Sequence, residues 1–282
     1  MAASQGIKRR IKSVSNTKQI TKAMQLVAAS KLRRAQDVAT GPKAYIAASQ
    51  EILASLAGTP EAQYHPLFEQ RTVKNELVIA ITSDRGLAGA YNSNVNRALT
   101  KHALEAGVPL QVIAIGKYAA QHVARMQGLD ELAAYSLDGT SPDVEIAQPA
   151  LREALDLFIS GKVDVVSIIY TKFISTVHQD VVVQQLLPVT SEESMQASRT
   201  YEPEPEVLLD LAIKRLLEAQ VLQAILESQA SEQASRMLAM KNATDNANEL
   251  IEDLTLALNN ARQAAITQEL AEITAGAEAI NG

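Results

Sequence analysis

The chain has no cysteine and no tryptophan, and aromatic residues make up only 4% of it. Without cysteine there is no disulfide framework, no thiolate metal site and no thiol redox switch. Histidine is scarce as well. His65, His102, His122 and His178 are never three or four residues apart, so they lack the spacing of a helix-borne metal site. No apolar run approaches the ~18–20 residues of a membrane-spanning helix. No apolar segment follows Met1 in the manner of a secretory signal. The expectation is an intracellular, soluble chain, at most peripheral to a membrane.

Acidic residues are missing from the first 34 positions, where nine basic ones occur: Lys8, Arg9, Arg10, Lys12, Lys18, Lys22, Lys31, Arg33 and Arg34. The whole chain carries −6, so everything after that head carries −15. A basic head on an acidic body predicts an electrostatic partner for the head, against the plainer alternative of a solvated helix face. Nucleic acid is a poor candidate. No aromatic residue precedes Tyr45, no DNA-binding motif is present, and the acidic body opposes a phosphate backbone.

Glycine and proline are missing from a third region. Between Pro205 and Gly276 there is neither, which predicts one helix of about 70 residues, or on the order of 105 Å. Such a helix is longer than a globular domain of this mass and needs a partner. The N-terminal residues 4–57 supply one. Ile7, Ile11 and Val14 stand at 4/3 spacing, and Ile20, Met24 and Val27 resume the pattern after an interruption at Lys18. Gly41-Pro42 is expected to bend or loosen this helix. Ala243, Ala247, Leu250, Leu254, Ala257 and Ala261 form the matching heptad seam, so the two ends of the chain pair as an antiparallel coiled coil.

Between the helical ends the pattern changes. Residues 75–82 and 110–116 read as buried strands, and 129–136 as a third. Helices are expected near 92–106, 117–127 and 143–160, and 162–173 with 178–188 as a hairpin. Strands alternating with helices predict a Rossmann-like three-layer α/β domain, mainly parallel with one antiparallel edge. The domain plan is thus a shaft of 1–58 and 206–282, an inserted α/β domain of 75–190, and connecting segments 59–74 and 191–205.

Chemistry is sparse. The stretch TSDRGLAGAYNSN (82–94) follows a strand and opens a helix, which invites a phosphate-loop reading. Yet no Lys-Ser/Thr follows its second glycine and it is not GxGxxG, so a tight packing or partner-contact turn is favoured. Glu192-Glu193 and Glu202, Glu204 and Glu206 sit in a proline-containing linker, where solvated charge is expected rather than a catalytic pair. No activated serine motif occurs. Met24 reads as a flexible seam filler. Glu232 and Arg236 read as a routine i,i+4 helix salt bridge of a few tenths of a kcal/mol. Arg262, Gln263, Thr267 and Glu269 cannot all face one seam, so several must look outward.

Three blocks taken together carry a resemblance. They are IKRRIKSVSNTKQITKAMQLVAASKLRRAQ near the start, ITSDRGLAGAYN after the first strand, and SEQASRMLAMKNATDNANELIEDLTLALNNARQAAITQELAEI near the end. In order and across the whole chain, the sequence resembles the γ subunits of F-type ATP synthases. The resemblance implies a central rotor shaft linking the membrane c-ring to the α3β3 catalytic hexamer, one copy per complex. Its partners would be the α and β subunits, the ε subunit and the c-ring. It implies no catalytic residues, no cofactor and no nucleotide of its own. It assigns coupling and β-subunit contact to Met24, Glu232, Arg236, Arg262, Gln263, Thr267 and Glu269. It places Lys8, Arg9 and Lys18 on a basic face of the shaft, and Asp84, Arg85, Gly86, Gly89 and Asn92 in a signature turn of the outer domain. Photosynthetic members carry an extra regulatory segment, and chloroplast ones a cysteine pair. This chain has neither, which favours a non-photosynthetic bacterial type, peripheral on the cytoplasmic face of the plasma membrane, over a trimmed mitochondrial subunit.

Overall fold

A computed structural model describes residues 2–56, 64–137, 143–189 and 205–281. The linker carboxylates expected at Glu192, Glu193, Glu202 and Glu204 lie outside these residues. Helix α1 spans Ala2–Leu56, and a short 3-10 turn follows at Pro66–Phe68. The middle of the chain runs β1 (Glu76–Ile81), α2 (Tyr91–Ala106), β2 (Leu110–Ile115), α3 (Lys117–Val123), β3 (Leu129–Tyr135), α4 (Asp143–Ile159), β4 (Val165–Phe173) and β5 (Gln179–Leu187). Helix α5 runs unbroken over Pro205–Asn281. The expected strands and helices are all present. Gly41-Pro42 does not interrupt α1, which stays helical through both residues. The chain forms two compact units, one of 1–28 with 237–282 and one of 29–236.

In the larger unit the sheet order is β3-β2-β1-β4-β5, with β1 to β4 parallel and β5 antiparallel at the edge. Every residue of β1 is buried, as its continuous run of branched apolar side chains requires of a strand covered on both faces. The alternation of the strand divides the core. Val78 and Ala80 point to one side, under Val95 and Leu99 of α2 and Ala119 and Val123 of α3. Leu77, Ile79 and Ile81 point to the other, under Ala150, Leu151 and Phe158 of α4 and Ile213, Leu217, Val221 and Ile225 of α5. The first half of α5 is therefore a core helix of the α/β layer, although the sequence reading gave all of it to the shaft.

The smaller unit is a two-helix coiled coil. Thr21 of α1 and Thr244 of α5 are hydrogen-bonded across it at 2.8 Å. Counted outward from that bond, the seam of α1 is Ile7, Ile11, Val14, Lys18, Thr21, Gln25 and Ala28, all buried or half-buried. The seam of α5 is Met240, Thr244, Ala247, Ile251, Leu254, Leu258, Ala261 and Ala265. Both alternate 3 and 4 without a break, the signature of a left-handed supercoil.

Two expectations are corrected here. The α1 seam is not interrupted at Lys18. It passes through Lys18, Thr21 and Gln25, and it leaves Ile20 60% and Val27 56% exposed. On α5 the shared positions are Ala247, Leu254 and Ala261, but the alternate ones are Thr244, Ile251 and Leu258. Leu250 is 46% exposed and Ala257 is also exposed. The cause is common to both helices. A rigid helix carries whatever residue stands at the next heptad position into the interface: polar Lys18, Thr21 and Gln25 on α1, and on α5 polar Thr244 as well as apolar Ile251 and Leu258.

A helix seated in the sheet crevice

In an open parallel sheet, ligands bind beyond the carboxyl ends of the strands, where the strand order reverses. Here that point lies between β1 and β4, and one turn of the chain's own helix α5 fills it. Ser228 Oγ accepts from the backbone N–H of Thr171, and Ser231 Oγ donates to the carbonyl of Thr171. Continued past its last pair, Ala80 with Ile169, the β1–β4 register sets Thr171 level with Thr82 at the carboxyl end of β1. Gln229 donates to Asp143 at the start of α4, and Ser235 donates to the Gln179 amide oxygen at the start of β5. Tyr91, the first residue of α2, lies beside Ser228, and its burial pushes the phenol well above the ordinary tyrosine range.

Arg236 completes the seat. Its Nε and Nη2 donate to the Gly86 carbonyl at 3.4 and 3.2 Å, and Nη2 also donates to the Arg85 carbonyl at 3.2 Å. Nη2 bonds Glu232 at 2.6 Å as well, and the two side chains are only 10% and 13% exposed. The i,i+4 salt bridge read from the sequence is present, but it is not a routine one. This is a desolvated ion pair fastened to a loop. Burial holds the Glu232 carboxyl above its usual range, and Arg236 pulls in the opposite direction without cancelling that effect.

The turn after β1 is built to present carbonyls. Ser83 Oγ donates to the Arg85 carbonyl, and Asn92 Oδ1 accepts from the Ser83 N–H. Asp84 accepts from the Lys117 N–H at 2.6 Å and from Ser136 Oγ at 2.6 Å, which ties the turn to α3 and to the end of β3. Leu87 and Gly89 take positive φ of 61° and 58°, which folds the loop back before α2. Gly116 lies against the same floor. A Cβ added there would sit 2.4 Å from the Thr82 carbonyl oxygen. A phosphate loop aims N–H groups inward. This one offers its Arg85 and Gly86 carbonyls to a guanidinium, so it reads as a seat for a cation of the same chain.

Ser167 and His102 both bond one oxygen of Glu76, at 2.7 and 2.8 Å. The carboxylate lies in the middle, so no imidazole stands between it and the serine and the trio lacks the order of a Ser-His-acid triad. Among the described residues no group of three or more His, Cys, Asp or Glu side chains is placed to hold a metal, and no helix is long and apolar enough to cross a membrane.

Of the sequence-predicted contact residues, the structure brings Glu232 and Arg236 together with Asp84, Arg85, Gly86 and Asn92. Met24 lies half-buried beside the coiled-coil seam. Lys8 and Arg9 are exposed, whereas Lys18 is a half-buried seam residue. Arg262, Gln263, Thr267 and Glu269 are all exposed near the end of α5. Sequence reasoning missed the seat of Ser228, Gln229, Ser231 and Ser235. The signal was present, because Ser228, Ser231 and Ser235 recur at 3/4 spacing and mark one small polar face of a helix.

A family model described as ATP synthase matches residues 3–280. The ATP synthase gamma chain of Moorella thermoacetica is 39% identical over 282 residues, covering 99% of this chain and all of that protein. Those of Acidovorax sp. and Dehalococcoides mccartyi are each 42% identical, covering 99% and 97% of this chain and 100% and 98% of theirs. Among solved structures, the central stalk and c-ring assembly of the Tetrahymena thermophila mitochondrial ATP synthase contains a chain with TM-score 0.63 and 27% identity, covering 79% of this chain and 99% of that one. The rotor of the Euglena gracilis mitochondrial enzyme shares the fold at TM-score 0.67 and 17% identity, over 94% of this chain and 99% of that one. These matches establish that the chain belongs to the ATP synthase gamma-chain family.

Proposed function

We propose that the chain is the non-catalytic central shaft of an F-type ATP synthase. It turns with the membrane c-ring and imposes its asymmetric surface on the α3β3 hexamer, so that ion flow drives ATP synthesis, or hydrolysis drives the shaft in reverse. The shaft is the coiled coil of 1–28 with 237–282. The α/β domain of 75–190 engages the ε subunit and the c-ring. The complex sits on the cytoplasmic face of a bacterial plasma membrane, with one copy of the chain in each.

One observation carries this reading. Beyond Ala265 every described residue of α5 is exposed through Gly276, including Ile266 at 46%, Leu270 at 60% and Ile273 at 68%. These three repeat at 4/3 spacing and form an apolar stripe that none of the described residues buries, flanked by outward Arg262, Gln263, Thr267 and Glu269. Such a helix end gains stability only inside another protein. Its polar flanks suit contacts that form and break as a shaft turns, and the basic α1 head suits an acidic loop on β. A shaft also needs its long helix gripped, and the seat of Arg236 supplies the grip in the α/β unit.

Reconstitution tests the reading. The isolated chain is expected to hydrolyse no ATP, and its addition to cognate α, β and ε subunits is expected to restore coupled activity to membranes carrying the c-ring. Proton-coupled synthesis that stays normal after deletion of residues 262–282 would contradict contact by the shaft tip.

A further inference from the structure

We infer that Thr21 and Thr244 are a register pin, which holds the coiled coil at one of several alignments that the rest of its seam does not distinguish. Each hydroxyl has one proton. Yet Thr21 lies 3.0 Å from the Lys18 carbonyl, Thr244 lies 2.8 Å from the Met240 carbonyl, and the two hydroxyls lie 2.8 Å from each other. Two protons therefore serve three acceptor positions. Whichever threonine donates across the seam, the other donates to its own helix, so the cross-helix bond has two equivalent forms. Both residues are buried, at 9% and 5% exposure, so water does not compete for it.

The need for a pin follows from the remaining seam. Around the pair it is made of Ala28, Ala247 and flexible Lys18, Gln25 and Met240, small or adaptable residues that define alignment poorly. The 3/4 spacing repeats every seven residues on both helices, so a slip of one heptad re-forms a seam. In that slip Thr21 faces Ile251, and Thr244 faces Ala28. Each hydroxyl oxygen would then be buried against aliphatic carbon with nothing donating to it. A single buried polar contact fixes register in coiled coils in this way. The pin is independent of what the shaft touches, so it stands apart from the proposed rotation.

Disulfide mapping in the full-length chain tests it, since the native sequence has no cysteine. With register counted from the threonine bond, Val14→Cys with Ile251→Cys reports the aligned state, and Val14→Cys with Leu258→Cys reports a slip of one heptad. In the parent, only the aligned pair is expected to cross-link under mild oxidation. Adding Thr21→Val and Thr244→Val, which keep the shape and remove both hydroxyls, is expected to raise the slipped cross-link at least tenfold while helix content stays unchanged. Thr21→Ser with Thr244→Ser is expected to restore the parent pattern. An aligned-only pattern in the double valine variant would overturn the proposal. So would loss of both cross-links, because a pin governs alignment and not the pairing itself.

Discussion

At the scale of single residues, the account turns on Arg236 and Glu232. Removing one partner of a buried ion pair leaves the other charge desolvated, at a cost of about 3–5 kcal/mol. Arg236→Ala also frees the carbonyls of Arg85 and Gly86, so a loss in that range is expected from denaturant unfolding at neutral pH. Arg236→Lys should lose part of it, because a lysine cannot fork across two carbonyls. The pH dependence has a definite sign. The Glu232 carboxyl is raised in the folded chain, so it binds its proton more tightly there than in the unfolded chain. Its stabilising contribution is complete below the ordinary carboxyl value and is lost as pH rises through the raised one. Glu232→Gln, which cannot ionise, should therefore gain stability relative to the parent across that window, and unfolding curves from pH 4 to 8 would show it. A constant difference over that range would mean that Glu232 titrates normally.

At the scale of elements, the seam gives the sharpest comparison. Ile251→Gln places an amide in the interface and should cost about 1–3 kcal/mol. Leu250→Gln, one residue earlier, should stay within about 0.5 kcal/mol, as exposed substitutions do. Thermal unfolding of both variants checks this, and equal effects would contradict the observed seam. The neighbouring positions also show what the sequence made legible. Strands such as ELVIAI and LQVIAI announced themselves, because burial on both faces demands an unbroken apolar run. The helical ends announced themselves by lacking glycine and proline. The register did not, because polarity was read as exposure, yet Lys18, Thr21 and Thr244 enter the interface. Threonine does so at low cost because its hydroxyl has helix carbonyls and a facing hydroxyl to bond. The grip of Arg236 was hidden for a related reason. Spacing along a helix shows that Glu232 and Arg236 are neighbours, but only the fold shows that a loop some 150 residues away lies against them.

At the scale of the whole molecule, the proposed shaft must transmit torque through contacts made by the coiled coil. Met24→Lys adds charge beside a basic helix face at a half-buried position. It is expected to lower the protons pumped per ATP hydrolysed severalfold in reconstituted membranes, with little change in the melting temperature of the isolated chain. An unchanged ratio would remove Met24 from the coupling path. The central claim is rotation, and one measurement reaches it most directly. Leu104 is 76% exposed on α2, so Leu104→Cys can carry a bead on a chain with no other cysteine. With the α3β3 hexamer fixed to a surface and ATP added, the account predicts unidirectional rotation of the bead in discrete steps that stop when ATP is withdrawn. Steady ATP hydrolysis by that assembly with a motionless bead would contradict it.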